Sequence, residues 1–284
     1  MLSKFDYVRP QLLTEALSYL DQNTGTKILA GGTDLMVMLR HNSEKPEHIL
    51  DIKALPEVNR LEYNPNVGLF IGATTTVNQV AESKLILGKY PALVQAASCL
   101  ASYQLRNRAT LVGNICNASP GADLAAPLMI YDAKVHIAST EGIRIVDINL
   151  FFTGVKKTVL KKNEIVIGVS LPDISQGDNS IFLKQARIKG HDLATVGVAA
   201  RITEGKKLRL AITAVAPTPI SLVSLEESLS GQPLTTELAA MAGEEVRNII
   251  KPISDVRSSA EYRLHVSGVL VKRALLHLLE MGGK

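Results

Sequence analysis

The sequence contains no tryptophan, and seven Tyr with five Phe make aromatics only 4% of 284 residues. That scarcity argues against a nucleic-acid surface, which needs aromatic platforms for base stacking beside its basic residues. Cysteine occurs twice, at 99 and 116. Two thiols make neither a disulfide framework nor the ligand set of a zinc or iron–sulfur site. The six histidines show no HxH or HExxH spacing, GxSxG is missing, and no histidine has a readable acidic partner. No nucleophile–base pair is indicated, so catalysis by such a chain would fall to a cofactor. GxGxxG and the Walker A loop are missing too. No apolar run approaches the ~20 residues of a membrane span. The charged start MLSKFDYVRPQLLTEALSYL has no apolar segment of the signal-peptide kind. A soluble chain in a reducing, cytoplasmic setting is expected.

What is present reads as globular: 46% hydrophobic, 20% charged, and long enough for about two domains. Lys plus Arg number 31 against 27 Asp plus Glu, a net charge of +4. The excess lies in pairs such as Lys156-Lys157, Lys161-Lys162 and Lys206-Lys207, read here as solvated faces. A mildly positive field also suits a dinucleotide or an acidic partner surface.

Along the first 50 residues short strands and helices alternate. FDYVRP reads as a strand, and Leu13, Ala16, Leu17 and Leu20 share one helical face. TKILA is an apolar strand that enters Gly31-Gly32, with a helix beginning near Asp34. From Lys53 onward LEYNPNVGLFIGA has the form of a hairpin, and Thr76 with Gln79 has capping-box spacing. Residues 92–101 read as a small-residue helix, Asp123 as the start of another, and 134–138, 143–147 and 164–171 as strands. Pro, Gly, Asp and Asn cluster at 171–180 and mark a boundary. Beyond it come three strands (181–187, 193–202, 208–214) and then helices over 222–229, 238–250 and 259–280. Tyr262, Val266, Val269, Leu270, Leu276 and Leu279 are expected to form the buried stripe of the last helix. Strands first and helices afterwards read as a separate α+β domain.

Two segments carry candidate chemistry. In KILAGGTDL, Gly31-Gly32 permits main-chain N–H groups to converge beside a helix start, a place for a pyrophosphate; a plain strand–turn–helix corner is the alternative. ATLVGNICNASPGADLAAPLMIY, residues 109–131, strings together small uncharged residues with Asp123 as its one acid. Small side chains let a backbone lie close to a large ligand, and a lone carboxylate can accept from ribityl or ribose hydroxyls. Asp123 can equally be an ordinary N-cap. Thr74-Thr75-Thr76 supplies three hydroxyls or simply caps a helix, and Lys184 in SIFLKQA reads alone as a snorkelling strand lysine.

AGGTDL at 30–35 and RNRATLVGNICNASPGAD at 106–123 together resemble the paired flavin-binding segments of the FAD subunits of molybdenum hydroxylases. EIVIGVSLP, FLKQAR, the APTPI segment and EYRLHVSGVLVKRAL extend the resemblance over essentially the whole chain, and bacterial xanthine dehydrogenase FAD subunits share NICN, IYDAK, APTPI and RLH. The resemblance implies an α+β fold. A vanillyl-alcohol-oxidase/PCMH-type FAD-binding domain at 1–175, with α/β subdomains at about 1–52 and 53–175, precedes a smaller domain at 176–284. That second domain is of the CO dehydrogenase flavoprotein type, a three-stranded antiparallel sheet plus helices.

It also implies FAD bound by this chain, molybdopterin on a large partner subunit and two [2Fe–2S] clusters on a small one. NAD⁺ is the implied acceptor and a dimer of heterotrimers the implied assembly, with purine oxidation as the overall reaction and no nucleic acid or membrane span involved. Carried over by position, Lys27, Ile28, Leu29, Ala30, Gly31, Gly32, Thr33, Asp34 and Leu35 line the pyrophosphate and neighbouring FAD segments. Ala109, Thr110, Gly113, Asn114, Cys116 and Ala122 form a second wrap, with Asp123 on the sugar-like chain. Thr74, Leu100 and Ala101 add to the lining, and Val166 and Lys184 lie near the isoalloxazine ring, with 185–195 as the loop beside it.

Two departures stand out. Leu100 occupies the place of a Phe in animal relatives, and Val112 leaves one glycine where two often precede Asn114. No cysteine-bearing insertion of the benzoyl-CoA reductase branch is present. Medium subunits of CO, nicotinate or aldehyde dehydrogenases are sibling readings, because the molybdenum subunit selects the substrate. A flavin-free assembly scaffold is the alternative from another class. A free-standing reductase of the enolpyruvyl-glucosamine type lacks its fingerprint here.

Overall fold

The computed structural model describes residues 3–188, 190–229 and 231–282. Its first layer runs β1 (Asp6–Val8), α1 (Leu13–Gln22), β2 (Lys27–Leu29), α2 (Leu35–Arg40) and β3 (His48–Asp51). The strands form a parallel sheet in the order β1-β3-β2, as helical crossovers require. The Ala16, Leu17 and Leu20 face of α1 is buried, as its spacing predicts.

The second layer opens with the hairpin β4 (Leu61–Asn64) and β5 (Gly68–Gly72), whose turn is tightened by Asn66 N–H donating to Asn64 Oδ1 at 2.9 Å. Helices α3 (Val77–Glu82), α4 (Lys84–Lys89), α5 (Pro91–Cys99), α6 (Tyr103–Arg106), α7 (Leu111–Cys116) and α8 (Ala125–Ile130) follow. Thr76 and Gln79 do form a capping box on α3. The chain returns through β6 (Lys134–Ser139), β7 (Gly142–Asp147), the short α9 (Ile148–Phe151), the small ribbon β8 (Phe152–Gly154) and β9 (Lys157–Thr158), and β10 (Ile165–Leu171). An antiparallel sheet results in the order β4-β5-β10-β6-β7.

The last part comprises β11 (Asn179–Gln185), β12 (Val196–Ile202), β13 (Leu208–Thr213), β14 (Ile220–Ser221), α10 (Val223–Leu229), α11 (Thr236–Ile249) and α12 (Ala260–Gly282). Its antiparallel sheet has four strands rather than the three expected, because two residues of β14 pair with Ala211 and Ile212. A two-residue strand carries no periodicity to read. The mixed α/β architecture otherwise matches the expectation.

The C-terminal sheet is covered on both faces. Phe182, Ala199 and Ala211 join the core shared with the second layer, while Ile181, Val198, Ala200, Leu210 and Ile212 pack under α10–α12. Double coverage explains why β12 is apolar nearly throughout instead of alternating. The same packing answers part of the puzzle of residues 109–131. Residues 121–131 are buried without exception, so their smallness serves close packing of α8 between sheets.

The stripe of α12 differs from the sequence reading. Arg263, Val266, Ser267, Leu270, Val271, Ala274, Leu275 and Leu278 face inward, whereas Tyr262 is 45% exposed. Arg263 reaches the interior because its guanidinium is met there: Nη1 donates to Thr195 O at 3.1 Å and Nη2 to Asp255 Oδ1 at 2.7 Å.

Candidate functional site

The first bend starts where β2 ends. Gly32 has φ +75°, the left-handed region that favours glycine, and an added Cβ would stand 2.8 Å from Leu29 Cδ1. A Cβ on Gly31 would lie 2.0 Å from Arg108 O and 3.1 Å from Ala109 Cα. The bend therefore rests directly on the second segment, with no room for any side chain. Gly31, Gly32, Thr33 and Asp34 have no acceptor for their N–H groups among the described residues, and the four amides lie together just before α2.

The second segment is organised by Thr110. Its Oγ1 accepts from Gly113 N–H at 2.9 Å and caps α7. The Gly113 amide is thus spent within the helix; the glycine is needed because a Cβ would meet Thr110 Oγ1 at 2.8 Å. Leu111 N–H donates to Thr75 O and Val77 N–H to Ala109 O, which staples this segment to the start of α3.

An open cleft of about 520 Å³ lies between the two bends. Its lining includes Lys27, Ile28, Ala30, Gly31, Gly32, Thr33, Asp34 and Leu35 from the first, and Ala109, Thr110, Gly113, Asn114 and Cys116 from the second. Leu100 and Val166 add apolar walls. Cys116 has its thiol pKa pushed up to about 12 by burial, so it is an inert wall.

Six candidates stand outside the lining. Leu29 packs on Gly32, and its carbonyl accepts from Ile52 N–H at 3.1 Å. Thr74 spends its hydroxyl on Val58 O at 2.8 Å and on Asn59 Oδ1. Ala101 adopts φ +47°, a costly conformation for alanine, while its carbonyl and that of Leu100 accept from Arg106 Nη1. Ala122 is buried.

Asp123 and Lys184 meet each other instead. Their side chains are 7% and 8% exposed, and Lys184 Nζ donates to Asp123 Oδ2 at 2.7 Å. The same ammonium donates to Asp192 O at 2.9 Å and lies 3.4 Å from Cys99 O. The helix-start reading of Asp123 is corrected: α8 begins at Ala125 with Leu124 in the cap position. Burial pushes the Asp123 carboxyl up to about 6, against the pull of Lys184 in the other direction.

Two buried acceptors, Asp123 Oδ1 and Asn114 Oδ1, have no hydrogen-bond partner among the described residues, the second of them in the cleft lining. Buried polar atoms left unmatched in a folded protein point to a missing ligand group or water. Sequence reasoning missed Asn117 and Lys156, which also line the cleft. Lys156 was hidden in a Lys-Lys pair of solvated appearance; only the β8–β9 turn brings it here.

A strand–glycine–helix corner laid against a small-residue segment, with free amides and the orphaned Asn114 oxygen at one cleft, is an arrangement suited to a polyanionic ligand. Residues 3–174 match the FAD binding domain in molybdopterin dehydrogenase, and residues 181–278 match the CO dehydrogenase flavoprotein C-terminal domain. The xanthine dehydrogenase FAD-binding subunit of Escherichia coli O157:H7 is 36% identical over 282 residues, 98% of this chain and 97% of that one. The glyceraldehyde dehydrogenase medium chain of Sulfolobus acidocaldarius is 32% identical over 274 residues, covering 95% and 97%. A solved carbon monoxide dehydrogenase chain from Hydrogenophaga pseudoflava superposes with a TM-score of 0.92 at 32% identity, covering 97% of each. The chain belongs to the family of FAD-binding medium subunits of the molybdenum hydroxylases.

Proposed function

We propose that this chain is the electron-transfer subunit of a cytoplasmic xanthine dehydrogenase-like complex. Electrons from purine oxidation at a molybdopterin-bearing large subunit pass through two [2Fe–2S] clusters of a small subunit, reach FAD on this chain, and leave to NAD⁺. The complex is a dimer of heterotrimers, and the chain divides into 1–175, with subdomains 1–52 and 53–175, and 176–284. Bound FAD supplies the exchange between one-electron carriers and a two-electron acceptor.

The chain's own task is to bind and orient. The free amides of Gly31 to Asp34 receive the diphosphate, helped by the nearby start of α2. Lys27 to Ala30, with Leu35, flank that bend, and Ala109, Thr110, Gly113, Asn114, Cys116 and Ala122 belong to the second wrap. Asp123 Oδ1, buried and unmatched, accepts from a hydroxyl of the sugar-like chain. Leu100 and Val166 exclude water from the ring faces, with Thr74, Ala101 and Lys184 in the surrounding shell. The observation that carries the reading is the group of free amides at Gly31 to Asp34, on a cleft whose lining also holds the unmatched Asn114 Oδ1.

The relatives carry names for several substrates, which leaves the purine assignment resting on likeness to the xanthine dehydrogenase subunits. An anaerobic complex assembled with its partner subunits tests it. Xanthine should bleach the flavin and NAD⁺ should restore it. Bleaching by CO, nicotinate or an aldehyde in place of xanthine replaces the substrate, and recovery only with ferredoxin or oxygen replaces the acceptor. In the same complex, Gly31→Ala should release flavin while the subunits still assemble. A colourless wild-type complex that refuses added FAD would leave the scaffold reading in possession.

A further inference from the structure

One cation in the cleft wall is in direct contact with no carboxylate among the described residues. Lys156 lies in the turn between β8 and β9 with φ +58°, and its N–H donates to Ala118 O at 2.9 Å. That bond fixes the turn against the end of α7. The side chain crosses toward the first bend, where Nζ donates to Asn117 Oδ1 at 2.7 Å. Asn117 in turn donates from Nδ2 to Asp34 Oδ1 at 2.9 Å.

The charges lining the cleft are Lys27, Glu44, Asp34 and Lys156. Lys27 and Glu44 pair with each other at 3.0 Å. Asp34 sits among the four free amides and would repel an anion placed on them. Lys156 has no carboxylate within 4.0 Å among the described residues. An ammonium has three N–H donors, and one neutral amide oxygen uses only one of them. Lys156 is exposed, so water serves the other two until a ligand arrives; burial of part of the side chain lowers its pKa, while Asp34 acts in the opposite sense. A lysine needed only to brace the turn would be served by its main-chain bond to Ala118.

We infer that Lys156 is the cation that receives the diphosphate in this cleft, offsetting Asp34 through Asn117, and that it sets the preference for a dinucleotide over a flavin without phosphate. The inference rests on the flavin reading above and adds a charged contact to what the sequence presents as a cradle of neutral donors.

The test is a fluorescence titration of the full chain, freed of flavin, with FAD and with riboflavin over a series of salt concentrations. Lys156→Gln should weaken FAD by about tenfold, the scale of one charge-assisted contact, and flatten the salt dependence. Riboflavin binding and the thermal midpoint should stay at wild-type values. Lys156→Arg should restore FAD affinity. Asn117→Asp should weaken FAD although the lysine remains, because the ammonium gains a carboxylate partner. Wild-type FAD affinity and salt slope in Lys156→Gln would remove Lys156 from the diphosphate and leave the flavin reading standing. Equal weakening of FAD and riboflavin would reduce the lysine to a structural brace. A wild-type chain that takes up no FAD would bring down both ideas together.

Discussion

Asp123 shows how far a single residue could be read and where reading stopped. Its isolation among small neutral residues marked it as unusual, and the resemblance implied a place for it on the sugar-like chain of the flavin. Its partner could not be found from spacing, because Lys184 is 61 positions away and arrives on a strand of the other sheet. The pairing has a consequence for pH. Between the ordinary carboxyl value of 3.8 and about 6, the folded Asp123 keeps a proton that the unfolded chain has released. The folded state binds more protons there, so this residue's contribution falls as pH rises through the window and is level above it. Urea midpoints should therefore show the wild type losing ground to Asp123→Asn from pH 4 to pH 6. If the wild type gains instead, the attraction of Lys184 outweighs burial and the direction assigned here is wrong.

Among the elements, strands and helices with strong periodicity were legible, and the buried face of α1 was named apart from Leu13, which is half-buried. The stretch 111–116 was not seen as helical, because Gly113 and Asn114 look like loop residues until Thr110 caps them. The face of α12 was misjudged for a related reason: Arg263, Ser267 and Gly268 do not count as apolar, yet they face inward. Gly268 is there for contact with α11. An added Cβ would lie 2.4 Å from Gly243 O, and one on Gly243 would lie 2.7 Å from Gly268 O. Gly268→Ala should thus force the helices apart at a cost of roughly 1–3 kcal/mol, read as a lower urea midpoint. The cleft is built from other elements and should keep its flavin in the folded fraction. An unchanged midpoint would mean that the crossing relaxes without strain.

For the molecule as a whole, the order of layers was readable and their contacts were not. Composition cannot show that the C-terminal sheet is roofed on one side by its own helices and on the other by α5 and α8. This arrangement predicts that residues 1–175 alone will not form a stable unit. Removing the rest would uncover the apolar surface around α8 and leave Tyr131 without its hydrogen bond to Ser180. Such a fragment should bind a hydrophobic dye and unfold without a cooperative transition. A sharp two-state melt in the fragment would contradict it.

The ammonium of Lys184 is already saturated. Its hydrogens are divided among a carboxylate, the carbonyl that ends α5, and the carbonyl of Asp192 in the 185–195 segment. A newcomer that claims one of those hydrogens must evict a present holder. Contact with a ligand at this lysine is therefore an exchange, and whichever tether is given up slackens the piece of chain it had been holding.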